Sequence, residues 1–432
     1  MHPFRMSVSA LALSALAFSA PALAATEIPP ANLPPEAAVV AALDNHPTVE
    51  AAGARVDAAR AAARMLAKGT QEVTVNGSVQ FRTAYDEQFR GTSSNQTFPE
   101  FDGSVQRPFR LPGKGRLDRE AGALGIEVAH NRMEDSRHQA SLMLVQLWFD
   151  WLTAGELHRT DMANLAVLDR ALAAVTRRKA LRDAADLDVD QARAARDGAQ
   201  GAAAMSQADV DQARVLLAAN FPDLPLPVEP PALGDIPTPA TDLVTLRDLV
   251  VSRSHEIGAA DREAARLGTL ARRAQRDRIA DPSLGLRVFS ERGGQERGAG
   301  LTLSIPIGGG YRKAAAQEAG AQASAGMLDL VNVRRQVEAM ANGDLANARG
   351  RRTAWEGIAA SARSTAQAAE RTARGQELGA IDLADALLAR RQAHDAARLE
   401  VAARAEAIRA VIKLEIDSHV IWADEDVDEH PN

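Results

Sequence analysis

Val105-Gln106-Arg107-Pro108-Phe109-Arg110-Leu111-Pro112-Gly113-Lys114-Gly115 is the stretch at which the chain changes its period. Before it, apolar and polar residues alternate, Phe101, Gly103 and Val105 against Asp102, Ser104 and Gln106, as in a half-buried strand. After it, from about Arg116 to Arg182, no proline interrupts a helical spacing of apolar residues. A helix of ~67 residues would be ~100 Å long at about 1.5 Å per residue. The same change recurs at Leu301-Thr302-Leu303-Ser304-Ile305-Pro306-Ile307-Gly308-Gly309, which leads into an uninterrupted stretch from about Tyr311 to Leu378.

Working outward, each half repeats one order of elements. The first half opens with Asp44-Asn45-His46-Pro47 inside an Ala-rich helix from Glu36 to about Lys68, and the second carries Arg253-Ser254-His255-Glu256 at the matching place. Ala184-Ala185-Asp186-Leu187 is echoed by Ala380-Ile381-Asp382-Leu383. These markers recur ~195–210 residues apart, far beyond the ~20–50 of a solenoid, so the chain is a duplicated half-molecule. Val73, Val75, Val79 and Phe81 alternate with Thr74, Asn76, Ser78, Gln80 and Arg82 to give one more strand, and Leu284, Leu286 and Val288 give another. A polar loop, Asp86–Gln96, separates the first pair, and a shorter one, Glu291–Glu296, separates the second. Shorter helices, about Leu187–Asn220 and Ile381–His419, close the halves. Opening and closing helices together nearly equal the long helix, so stacked end to end they would run beside it. Four short strands on such long helices point to a conduit rather than a catalyst.

Composition agrees. In 432 residues only 4% are aromatic while 25% are charged, the balance of long helices rather than of a compact core. Residues 1–24 read as a secretory signal, with Arg5, the apolar run Leu11–Phe18 and Ala22-Leu23-Ala24 in order. The mature repeats then span 25–220 and 242–419, joined by a proline-rich linker at 221–241 and followed by an acidic tail at 420–432. With no cysteine there is neither a disulfide framework nor a lipid-bearing thiol. No further run of 18 apolar residues predicts a spanning helix. A net charge of −7 argues against nucleic acid. No nucleophile constellation or complete phosphate loop is recognisable, so no enzyme and no cofactor are expected.

Strands of ~9–11 residues with one apolar face suit a bilayer. Unpaired edges are not tolerated in lipid, and the smallest familiar membrane barrels have about eight strands. Four per chain must therefore pair with neighbours. The plainer alternative is two ordinary hairpins on a soluble coiled-coil protein.

These features resemble the outer-membrane efflux protein family, the TolC-like channel-tunnels. The resemblance rests on Ala41-Ala42-Leu43-Asp44-Asn45-His46-Pro47, Arg107-Pro108-Phe109-Arg110-Leu111-Pro112-Gly113, Ile305-Pro306-Ile307 and Gly379-Ala380-Ile381-Asp382-Leu383-Ala384-Asp385-Ala386, in this order and duplicated. It implies a mainly α fold with a small membrane β-barrel part, in which a homotrimer closes a twelve-stranded barrel on a long periplasmic tunnel. It also implies an outer-membrane location, a periplasmic adaptor and an inner-membrane pump. The Gly-Lys-Gly-Arg-Leu-Asp exit looks most like the CzcC-type branch, whose systems export divalent metal cations. Drug efflux or type I protein secretion is the alternative cargo, and a periplasmic coiled-coil adaptor or structural protein is the alternative class.

Asp382 and Asp385, three apart at a helix start, match family positions at the periplasmic tip, where symmetry would assemble carboxylate rings that attract cations. Helix capping is the plainer role. Asp186 is the first-half match, with Val189 in place of the second acid. Arg107, Arg110 and Lys114, around Pro112 and mirrored at Pro306, are expected at the strand exit, with the basic groups snorkelling to lipid phosphate at the membrane interface. His130, Glu134 and His138, at i, i+4 and i+8, have a spacing that zinc could use, although a solvated helix stripe is the plainer reading.

Overall fold

The computed structural model describes residues 33–86 and 94–422. The signal at 1–24, most of the first polar loop and the tail beyond Trp422 lie outside the described residues. In chain order the elements are α1 (Glu36–Asp44), α2 (Pro47–Lys68), β1 (Thr74–Asp86), β2 (Ser94–Pro108), α3 (Lys114–Ala180) and α4 (Asp186–Asn220). The second half gives α5 (Leu243–Ser252), α6 (His255–Asp277), β3 (Ser283–Glu291), β4 (Glu296–Ser304), α7 (Gly310–Glu377) and α8 (Leu383–Asp417), with a short turn of 3-10 helix at Arg292–Gly294. The fold is the duplicated, mainly helical one expected, with four strands.

The opening helix is two helices, not one. Pro47 cannot donate to the preceding turn, so α1 stops at Asp44 and α2 starts afresh with proline at its first position. His46 caps it, its Nδ1 accepting from the Thr48 N–H at 3.3 Å. The second copy breaks alike: Ser254 Oγ accepts from Ile257 N–H at 3.1 Å to start α6. The lengths fit end-to-end stacking. Helices α1, α2 and α4 have 9, 22 and 35 residues against 67 in α3. Helices α5, α6 and α8 have 10, 23 and 35 against 68 in α7. Toward the sheet, α3 packs between α2 and α6. Toward the other end it packs between α4 and α8.

The four strands form one antiparallel sheet in the order β1-β2-β3-β4, leaving β1 and β4 as edges. The strands of the first hairpin, 13 and 15 residues long, run further than the alternation alone indicated. Register places Val75, Val105, Leu286 and Leu301 on one rung of one face. That face is bare: Val75 is 72% and Leu301 80% exposed.

The apolar core lies mid-length, where the stacked helices meet. Trp148, Phe149, Trp151 and Leu152 of α3 are buried there with Leu217, Phe221, Ile408 and Ile412. The proline-rich segment runs across this core as a strap. Leu224, Leu233 and Ile236 are buried in it. Its carbonyls accept from arginines of three helices: Arg159 of α3 to Pro230, Arg214 of α4 to Val228, and Arg404 of α8 to Gly234.

Candidate functional site: the helical tip, its latch and the barrel rim

At the end far from the sheet, each long helix turns back into its shorter partner. The first turn passes through Arg182 at φ 64°, and Asp188 caps α4 by accepting from Ala185 N–H at 2.9 Å. Asp186 is ion-paired to Lys179. The second turn uses Gly379 at φ 75°, a left-handed conformation that glycine adopts without a Cβ penalty. Asp382 holds the N-cap position with extended backbone, but its carboxylate makes no capping bond. Asp385 follows in the first turn of α8, and both acids are exposed. Leu383 packs against Val175, Val189 and Ala192, so the two tips touch.

A buried ionic latch lies along α3, about 30 Å from the tip at ~1.5 Å per residue. Asp161 is fully removed from solvent; its Oδ1 is 2.8 Å from His394 Nε2, and Arg398 binds Oδ2. One turn on, Asn164 Oδ1 accepts from Arg390 Nε at 3.1 Å. Burial opposes the Asp161 charge, but hydrogen bonds from Arg398, His394 and Ser206 outweigh it and hold the carboxyl below its ordinary value of 3.8. Burial, aided by the nearby Arg170 charge, lowers Arg390. The sequence reading missed this latch. The signal available was Arg390, His394 and Arg398 at i, i+4 and i+8 on α8, which aligns them on one face. Beside the latch, α4 and α8 leave a groove of about 660 Å³ lined by Ala195, Ala199, Leu387 and Arg391.

The histidine stripe does not gather. His130 is exposed, with its Nε2 4.0 Å from Glu134. His138 turns inward, 3.1 Å from Asp417, and its ring lies 5.3 Å from that of His419. Among the described residues no group of three ligating side chains could hold a metal. The i, i+4, i+8 spacing fails because α8 supplies His138 with a closer acidic partner.

The rim also needs correction. Lys114 is 2% exposed, and its Nζ bonds Ile279 O at 2.7 Å, Asp281 at 2.8 Å and Asp277 at 2.9 Å. It clamps α3 to the end of α6 and does not reach lipid. Arg110 is likewise spent internally, on Leu66 O, Gln71 Oε1 and Asp118 at 3.0 Å. Both lose the expected snorkelling role because carboxylates and carbonyls of the helix ends lie nearer than any bilayer. Gly113, at φ 88°, lets the chain swing into α3. Pro112 and Pro306 lie in the two loops between strand and helix. Arg107 is different: its rung partner on β3 is Leu284, which places it on the apolar face.

No protein-family model and no curated protein matches the sequence. Solved structures do match over nearly the whole chain. The outer-membrane channel OprN superposes with a TM-score of 0.74 at 20% identity, covering 90% of each chain. The CmeC outer membrane channel of Campylobacter jejuni gives 0.69 at 16% identity, covering 91% of this chain and 87% of its own. The open state of the Neisseria gonorrhoeae MtrE outer membrane channel gives 0.68 at 16%, covering 92% and 90%. This is the TolC-like outer-membrane channel fold. In this channel fold the tip, with its exposed acids and the Asp161 latch above it, is the place where the four lower helices come together, while the bare sheet face lies at the opposite end. What the geometry shows is two exposed carboxylates at the tip and buried ion pairs that join α3 to α8.

Proposed function

We propose that this chain is the outer-membrane channel of a tripartite efflux system, a passive duct rather than an enzyme. Three copies close a twelve-stranded barrel in the outer membrane, and their helices form a tunnel through the periplasm. An inner-membrane pump delivers cargo through a periplasmic adaptor. The observation that carries this reading is the open sheet. Among the described residues its edges β1 and β4 have no strand partner, and one face exposes a continuous apolar band. In water such a face and such edges are an aggregation hazard, whereas in lipid the face is satisfied and copies of the chain pair the edges.

Divalent metal cations are the favoured cargo. The two exposed carboxylates of Asp382 and Asp385 at the second tip support this, because threefold repetition of them around a narrow opening would favour cations. Asp186 contributes less, since Lys179 neutralises it locally. The test has two parts. Purified protein should migrate as a crosslinked trimer and conduct ions in planar bilayers; a soluble monomer without conductance would refute the channel. A deletion strain should lose resistance to divalent metals; loss of resistance to drugs alone would reassign the cargo.

A further inference from the structure

The bare face of the sheet carries few charges, and their placement is not random. Residues paired directly across antiparallel strands point to the same side. On the apolar side, register aligns Arg107 with Leu284 and Leu303 on one rung, then Val105 with Leu286 and Leu301 on the next. Val288 pairs with Ala299 on the third, and Ser290 with Arg297 on the fourth. Among the described side chains of this face only Arg107 and Arg297 are charged, one at each end of the band.

The two guanidinium groups lean away from each other. Arg107 Nε donates to the Gln71 carbonyl, on the helix side of the strands, at 3.2 Å. Arg297 lies over Gly294 in the hairpin turn at the opposite end, where an added Cβ would sit 3.2 Å from its Nη2. Both stems therefore run from the apolar band toward its margins, the geometry of a side chain that keeps carbon in lipid and charge at the interface. Beyond Arg107 the margin is itself amphipathic: Phe109, Ile307 and Tyr311 are 49%, 98% and 87% exposed. Arg278, just after α6, and Lys313, in the first turn of α7, are exposed as well. Aromatic and basic residues gather at this depth in membrane proteins.

We propose that Arg107 and Arg297 are two lipid-phosphate sites that fix the depth of the barrel, Arg107 in the periplasmic leaflet and Arg297 in the outer one. The inference rests on the channel reading above. It also resolves a mismatch of length. The six residue steps from Arg297 to Leu303 cover about 20 Å of strand, or about 15 Å of membrane at a tilt of ~40°, less than the ~25 Å apolar band of such barrels. Stems reaching to both margins extend the short second hairpin, and the bacterial outer membrane is itself thinner than average.

The experiment uses the absence of cysteine. Single cysteines at Val288, Ala299, Leu301 and Leu303 of the full chain are spin-labelled and reconstituted in phosphatidylethanolamine–phosphatidylglycerol vesicles. The ratio of oxygen to nickel-chelate accessibility then gives the depth of each label. The expected profile is deepest at Ala299 and Leu301 and shallower at Leu303, and in R107E/R297E it flattens and shifts. A depth maximum elsewhere along the strands, or an unchanged profile in R107E/R297E, overturns the two sites while leaving the channel intact. Labels accessible to water at every position overturn the membrane reading instead.

Discussion

Asp161 of α3 and His394 of α8 meet at 2.8 Å with the carboxylate wholly buried. This contact is one of several that join the two repeats below their common core, because α3 belongs to the first half and α8 to the second. Separating the tips requires the two helices to part, and the network of Asp161, His394, Arg398, Asn164 and Arg390 resists it.

Asp161→Ala leaves Arg398 and His394 facing an emptied site. Loss of one partner of a buried pair costs roughly 3–5 kcal/mol. Apparent stability should fall by that order in thermal unfolding, and the bilayer conductance of D161A should be higher than native because a contact that joins the two tip helices is lost. Unchanged conductance with lowered stability would make the latch purely structural.

Lys114→Met removes the charge that faces Asp277 and Asp281. We expect a loss of roughly 3 kcal/mol, read as a lower melting temperature and faster proteolysis at the strand–helix junction. K114M/D281N should recover part of it, since the orphaned carboxylate is then neutral.

His419 gives the helical core a pH dependence. Burial, then the neighbouring charges of His255, His138 and Arg253, push it from its ordinary 6.5 down to about 3, against a smaller opposing effect of Asp417. The folded state refuses a proton that the unfolded chain accepts below 6.5. Stability is therefore full above that pH and falls on acidification between 6.5 and 3, by about 1.4 kcal/mol per pH unit. His419→Asn, which tolerates the positive φ of 54° there, should flatten the dependence of the melting temperature between pH 7 and 5. A slope as steep as native would assign the effect to other groups.

Asp382→Ala together with Asp385→Ala should move the reversal potential in a salt gradient toward zero, reducing cation preference. Asp186→Ala should do little, because Lys179 already offsets that charge. Equal effects of both changes would remove the distinction between the two tips.

The strand-to-helix exits at Pro112 and Pro306, the long helices and the echo of Asp186 in Asp382 were all legible in the sequence. Each is written locally, in a period, a proline or a spacing. The break at Pro47 was legible too, and treating Glu36–Lys68 as one helix overlooked it. The latch was not legible. Asp161 and His394 are far apart in the chain, and a helix of mixed charges gives no sign of which acid faces inward. The roles of Lys114, Arg110 and His138 failed for the same reason, since each has a nearer partner supplied by another helix.

By itself, then, the sequence determined a duplicated chain of two very long helices, four amphipathic strands and their order, because backbone period and turn chemistry are local properties. Only the tertiary structure decided which charges are spent inside the molecule and which remain for membrane or cargo. A carboxylate or guanidinium is committed by whatever lies within about 3 Å of it, and that distance is set by how the helices stack.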